Sequence, residues 1–149
     1  MTIKKATIPQ VAIILGYGGV SPFFGLACLS IIFDENFFTT ALITYAAVIV
    51  SFLGGVHWGV AISSFPKKKT TTELTTSLCI SITPAIISWA TLLIQNVTMA
   101  ITILSGAFAC QLAIDMIATK NGDLPSWYNA LRIPLTIIAI TCLIITCVF

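Results

Sequence analysis

The chain has 149 residues, of which 58% are hydrophobic and 8% charged, and its formal net charge is +2. A soluble domain carries about 25% charged residues, so a surface meeting water on every side cannot be built from this composition, and the membrane class follows. No basic cluster interleaves with aromatics, which leaves a nucleic-acid partner without support. The five cysteines form no CxxC pair beside the single histidine, which argues against a metal centre; no cofactor is expected.

A helix needs about 20 apolar residues to cross a bilayer. Runs of that length lie at 8–33, 38–64, 74–94, 98–117 and 128–149. They predict an all-α integral membrane protein, a single five-helix transmembrane bundle. The breaks are short and polar: Asp34, Glu35 and Asn36; Pro66 with Lys67, Lys68 and Lys69; Gln95 and Asn96; then Lys120 to Asp123. Five crossings put Lys4, Lys5, Lys67, Lys68, Lys69, Lys120 and Arg132 on one side and only Asp34 and Glu35 on the other. The positive-inside rule then makes the N-terminus cytoplasmic and the C-terminus external. A bacterial inner membrane is the expected home, and the lipid bilayer the expected surroundings.

The first segment contains GYGGVSPFFG, residues 16–25. Proline removes a backbone donor and glycine weakens a helix, so a kink or short unwound section is expected at Gly18, Gly19 and Pro22, either a plain kink satisfied by neighbouring helices, which is favoured, or a broken helix of the substrate-binding kind. The apolar run is too long for the h-region of a cleaved signal, about 7–15 residues.

The second segment contains SFLGGVHWGVA, residues 51–61. Ala47, Ser51, Gly55, Gly59 and Ser63 recur every fourth residue. Such a stripe predicts close helix packing. His57 lies roughly 200° around the helix from Gly55 and roughly 10 Å inside the cytoplasmic end. An imidazole at that depth needs a partner. It reads either as a satisfied structural histidine or as a proton-accepting, ligand-facing one. Trp58 beside it is a packing or interfacial residue, or part of the same site.

The fourth segment places Gln111 and Asp115 four residues apart on one face. The fifth opens with Trp127, Tyr128 and Arg132. An Asp115–Arg132 ion pair can close that hairpin, as a clamp or as part of a site. His57, Trp58, Gln111, Asp115, Tyr128 and Arg132 thus form a candidate polar pocket in the cytoplasmic half. No catalytic residue and no metal ligand is assigned.

GGVHWG (54–59), Asp115 and LPSWYNALRIPLT (124–136), with LGYGGVSPFFG (15–25) and a weaker TPAIISW (83–89), resemble a small multi-pass family described as domain of unknown function 3429. Its eukaryotic members are the transmembrane protein 69-like proteins. The resemblance covers nearly the whole chain and carries over Gly54, Gly55, His57, Trp58, Gly59, Leu124, Pro125, Trp127, Tyr128, Arg132 and Pro134. It implies an integral membrane protein of bacteria or mitochondria and no particular activity.

Three functions are weighed. A non-enzymatic membrane scaffold or assembly factor, with a second copy or another membrane protein as partner, accounts for the small-residue stripe and leads. A small-solute or proton-coupled transporter with a cytoplasm-facing pocket around His57 is the alternative; five spans without an inverted repeat count against it. An intramembrane enzyme comes last, because no nucleophile, metal cluster or phosphate loop accompanies His57 and Asp115.

Overall fold

Each long apolar run becomes a helix, and the polar breaks become its ends. The computed structural model describes residues 7–33, 36–64 and 70–148. Its helices are α1 (Gln10–Phe33), α2 (Asn36–Ser64), α3 (Thr71–Leu92), α4 (Val97–Lys120) and α5 (Tyr128–Val148). All five are long and apolar enough to cross a membrane, and no strand occurs among the described residues. Lys4, Lys5, Asp34, Glu35, Pro66, Lys67, Lys68, Lys69 and Phe149 lie outside them.

The ends are built from local chemistry. Thr70 caps α3 in a reciprocal box with Glu73, which satisfies donors that a helix start leaves orphaned. That cap starts α3 a few residues before the apolar pattern does. Asn96 Oδ1 accepts from the Met99 N–H at 2.8 Å and opens α4. At the end of α4, Gly122 takes φ +80°. The Gly122 N–H donates to Thr119 O at 3.1 Å and the Asp123 N–H to Ala118 O at 2.9 Å, a Schellman turn. The Thr119 hydroxyl donates to Asn129 Oδ1 at 3.1 Å, closing the α4–α5 hairpin from within.

Of the two forms expected in α1, the unwound section is absent: the helix runs unbroken through Gly18, Gly19 and Pro22. Pro22 cannot supply the N–H that would reach Gly18 O. Ser21 Oγ donates to that carbonyl instead, at 2.8 Å. The next carbonyl, Gly19 O, accepts from the Tyr45 hydroxyl at 2.8 Å and ties α1 to α2. Pro84 is likewise contained in an unbroken α3.

α2 is the hub. It packs against each of the other four helices, which follow one another around it in the order α3, α4, α5, α1. Among the described residues α1 and α3 do not touch, so one face of α2 shows between them. The buried face of α2 carries Ile43, Ala46, Val50 and Leu53, at alternating spacings of three and four. His57 is the next position in that series. Phe23 of α1 lies edge-on to Tyr45 and to Phe108 of α4, with ring centroids 5.2 and 5.8 Å apart. Leu104 and Leu143 complete this fully buried centre.

The small-residue stripe of α2 is not a packing face within the bundle. Ser51 is half-buried, while Gly55, Gly59 and Ser63 are exposed. A Cβ added at Gly55 or Gly59 would meet nothing within 4 Å. The reason is geometric: a strict four-residue repeat drifts about 40° per step, so it cannot stay on one face from Ala47 to Ser63. The close approach falls one residue away, at Gly54. A Cβ there would run into the Ser81 carbonyl oxygen and lie 3.2 Å from the Pro84 ring. Gly54 is thus the point where the backbones of α2 and α3 meet.

Candidate functional site

Asp115 is 0% exposed, on the inner face of α4 two turns before the Schellman turn. A carboxylate there requires partners, and it has two. His57 Nε2 donates to Oδ1 at 2.7 Å. Arg132 Nε donates to Oδ2 at 2.8 Å. The side chains of His57 and Arg132 are 12% and 8% exposed. One buried anion therefore joins three helices: α2 through His57, α4 through its own backbone, and α5 through Arg132. The α4–α5 turn brings Arg132 back opposite Asp115, and the Gly54 contact fixes the height of His57 against α3.

Gln111, one turn before Asp115 and 2% exposed, points to α2 as well. Its Nε2 donates to Leu53 O at 3.4 Å, one turn before His57. It braces the α2–α4 pair and lines neither cleft described below. Tyr128 is half-buried, with its ring against Trp127 at 6.1 Å between centroids. Trp58 does not join the pocket. It is 39% exposed, because a helix turns about 100° per residue and His57 holds the inward position.

Two clefts open on opposite sides of Asp115. The first, of about 260 Å³, is lined by His57, Val60, Ser77, Ile80, Asn121 and Asp123 among others. It sits between α2, α3 and α4, toward the end where α2 and α4 finish and α3 begins. His57 Nε2 is committed to Asp115, and Nδ1 makes no hydrogen bond among the described residues. Ser77, Asn121 and Asp123 were not legible as site residues; Asn121 and Asp123 read only as a loop signal. The second cleft, of about 200 Å³, lies between α1, α2, α4 and α5. Its wall is apolar apart from Arg132 and Tyr128, and includes Gly19, Phe23, Leu53 and Phe108. Leu15 and Phe52 line it too and are more than half exposed, so its rim lies on the bundle's outer surface.

The cluster can hold a charge, pass a proton between His57 and Asp115, and offer guanidinium donors to the second cleft. Among the described residues no group of three His, Cys, Asp or Glu side chains is placed to hold a metal ion.

A multi-pass bundle with a buried His–Asp–Arg cluster at the junction of three helices defines the class: an integral membrane protein with an ionisable interior. The chain belongs to the family described as Protein of unknown function (DUF3429), whose model matches residues 8–148. It is 34% identical over 142 residues to a Transmembrane protein 69 of Xenopus tropicalis, covering 91% of this chain and 53% of that protein. It is 28% identical over 153 residues to a Transmembrane protein 69 of Mus musculus, covering 96% of this chain and 60% of that one. The chain thus spans between half and two thirds of the length of these relatives. No solved structure matches.

Proposed function

We propose that this chain is a non-enzymatic carrier in which a small solute or a proton is taken up at His57. One observation carries the reading: Nε2 of His57 is held by the fully buried Asp115, and the same histidine lines a cleft with Ser77, Asn121 and Asp123. An imidazole oriented by a carboxylate, with its second nitrogen open, is the arrangement used by proton acceptors. Ionisable side chains inside a membrane mark pathways more often than they serve packing alone. The lysine and arginine pattern supports a bacterial inner membrane as location, with the N-terminus and the His57 cleft on the cytoplasmic side.

The test is proton movement into proteoliposomes carrying an internal pH-sensitive dye. After a pH step, wild-type vesicles should equilibrate faster than empty ones, and His57→Leu vesicles should match the empty ones. Equal rates for wild type and His57→Leu would remove the proposal for protons. The same comparison with labelled solutes extends it to solute uptake.

The scaffold or assembly reading keeps one supporting observation, the exposed face of α2 with Gly55, Gly59 and Ser63. Small residues on such a face admit a neighbouring helix, from a second copy or another membrane protein. Recovery of a stoichiometric protein partner in mild detergent, lost in Gly55→Leu, would favour it over transport.

A further inference from the structure

The second cleft holds a feature that the carrier reading leaves unused. A guanidinium bears N–H donors on every nitrogen. Among the described residues Arg132 is engaged only through Nε, by Asp115. Nη2 is enclosed by protein and has no hydrogen-bond partner among the described residues, so a head group reaches it only when a lining side chain shifts. Arg132 is 7% exposed and forms part of the cleft wall. In an interior surrounded by hydrocarbon, an unused charged donor is costly unless something occupies it.

The surroundings say what that occupant is. The cleft follows α5 from Tyr128 to Ala139, roughly 16 Å of helix, so it runs from the bundle end toward the membrane interior. Phe23, Leu53, Phe108 and Leu135 make its body apolar. Its rim at Leu15 and Phe52 opens on the outer surface, where a molecule dissolved in the bilayer can enter sideways. A cavity of about 150 Å³ holds one benzene-sized group. The cleft, at about 200 Å³, therefore takes a compact head and a few methylenes, not a two-chain lipid.

The terminal nitrogens of arginine form a planar fork that fits a two-oxygen acceptor. Charge bears on the choice of head. Asp115 already balances Arg132, so a bound anion needs a further positive charge nearby. His57, on the other oxygen of Asp115, provides one when protonated. Signs then alternate along His57, Asp115, Arg132 and the ligand. Among the described residues, the other polar groups lining the His57 side are Asp123, the only charged one, and the neutral Ser77 and Asn121.

We infer that the cleft between α1, α2, α4 and α5 binds a single-chain amphiphile with an oxyanion head, the head on the terminal nitrogens of Arg132 and the chain leaving past Leu15 and Phe52 into the bilayer. This extends beyond the proposed carrier function and does not require that anything be transported.

The probe is radiolabelled dodecanoate, measured by equilibrium dialysis against the full chain in nanodiscs, with empty nanodiscs subtracted. Saturable binding is expected. Dodecanol keeps the chain without the anion, and acetate the anion without the chain; each should compete at least about tenfold less well. Arg132→Lys keeps the charge opposite Asp115 and loses the fork. Gly19→Leu narrows the cleft without touching a charge, since a Cβ at Gly19 meets nothing within 4 Å. Both should weaken dodecanoate by about tenfold or more, with helical content by circular dichroism reporting that each is folded. Gly19→Leu remains informative if Arg132→Lys does not fold. The inference is overturned if binding does not saturate, if dodecanol or acetate competes as well as dodecanoate, or if a folded variant keeps wild-type affinity. A two-chain anionic phospholipid that displaces dodecanoate on equal terms would overturn the single-chain assignment.

Discussion

Asp115 accepts from His57 and from Arg132, but the two partners are not equivalent. Arg132 is permanently charged, so its counter-charge cannot be removed without leaving a buried cation alone. Breaking one partner of a buried ion pair costs about 3–5 kcal/mol in soluble proteins. Hydrogen bonds between membrane helices average well below 2 kcal/mol. Asp115→Asn should therefore destabilise far more than His57→Leu, which leaves the Asp115–Arg132 pair intact and removes one interhelical hydrogen bond worth at most about 2 kcal/mol. Thermal unfolding of both variants in one detergent measures the ranking. A His57→Leu loss equal to or larger than that of Asp115→Asn would mean that Arg132 finds another acceptor. The meeting of these residues was legible because each stands a short distance from a polar break, and the breaks set depth. The inward turn of His57 and outward turn of Trp58 were not, since adjacent positions on an apolar helix differ only in azimuth.

At the scale of single helices, glycine position decides how closely α2 can be approached. Gly54 faces the Ser81 carbonyl and Pro84, while Gly55 and Gly59 face open space. Gly54→Ala should force α2 and α3 apart and cost at least about 1–3 kcal/mol. Gly55→Ala and Gly59→Ala should leave stability unchanged or raise it by up to about 1 kcal/mol, since alanine suits an exposed helix interior better. Unfolding of the three variants in sodium dodecyl sulfate separates these cases; a Gly54→Ala variant as stable as wild type would refute the backbone contact. The five helices themselves followed from apolar length. The stripe misled because a four-residue repeat resembles a packing face over two turns and drifts off it over five. The unwound section allowed for α1 did not form for a different reason. Glycine and proline weaken a helix on average, but Ser21 and Tyr45 supply donors to Gly18 and Gly19, and tertiary partners of this kind cannot be read from one segment.

For the whole molecule, the placement of the clefts makes orientation the property on which function turns. His57, Asp115, Arg132 and both clefts belong to the half of the bundle where α2 and α4 end and α3 and α5 begin. Successive crossings alternate in direction, so that half is on the same side as the start of α1. In the sequence the lysines and the arginine precede α1, link α2 to α3, or flank the α4–α5 connection, whereas the connection between α1 and α2 carries only Asp34 and Glu35. Retaining cationic loops on the cytoplasmic side is the dominant rule for short loops. Reporter fusions that are active only in the cytoplasm should therefore report positive in the loop between α2 and α3, and negative both between α1 and α2 and after α5. Because the odd number of crossings puts the two termini on opposite sides, the C-terminal fusion is decisive. A cytoplasmic signal there would invert the molecule or remove one crossing. With inversion, the polar cleft at His57 would draw from the external compartment, and the uptake proposed for it would run from that side. Adding two lysines beside Asp34 weakens the charge asymmetry without touching the cluster. It should produce a mixed population in the same assay, whereas an unmixed signal would show that helix packing, not loop charge, fixes the orientation.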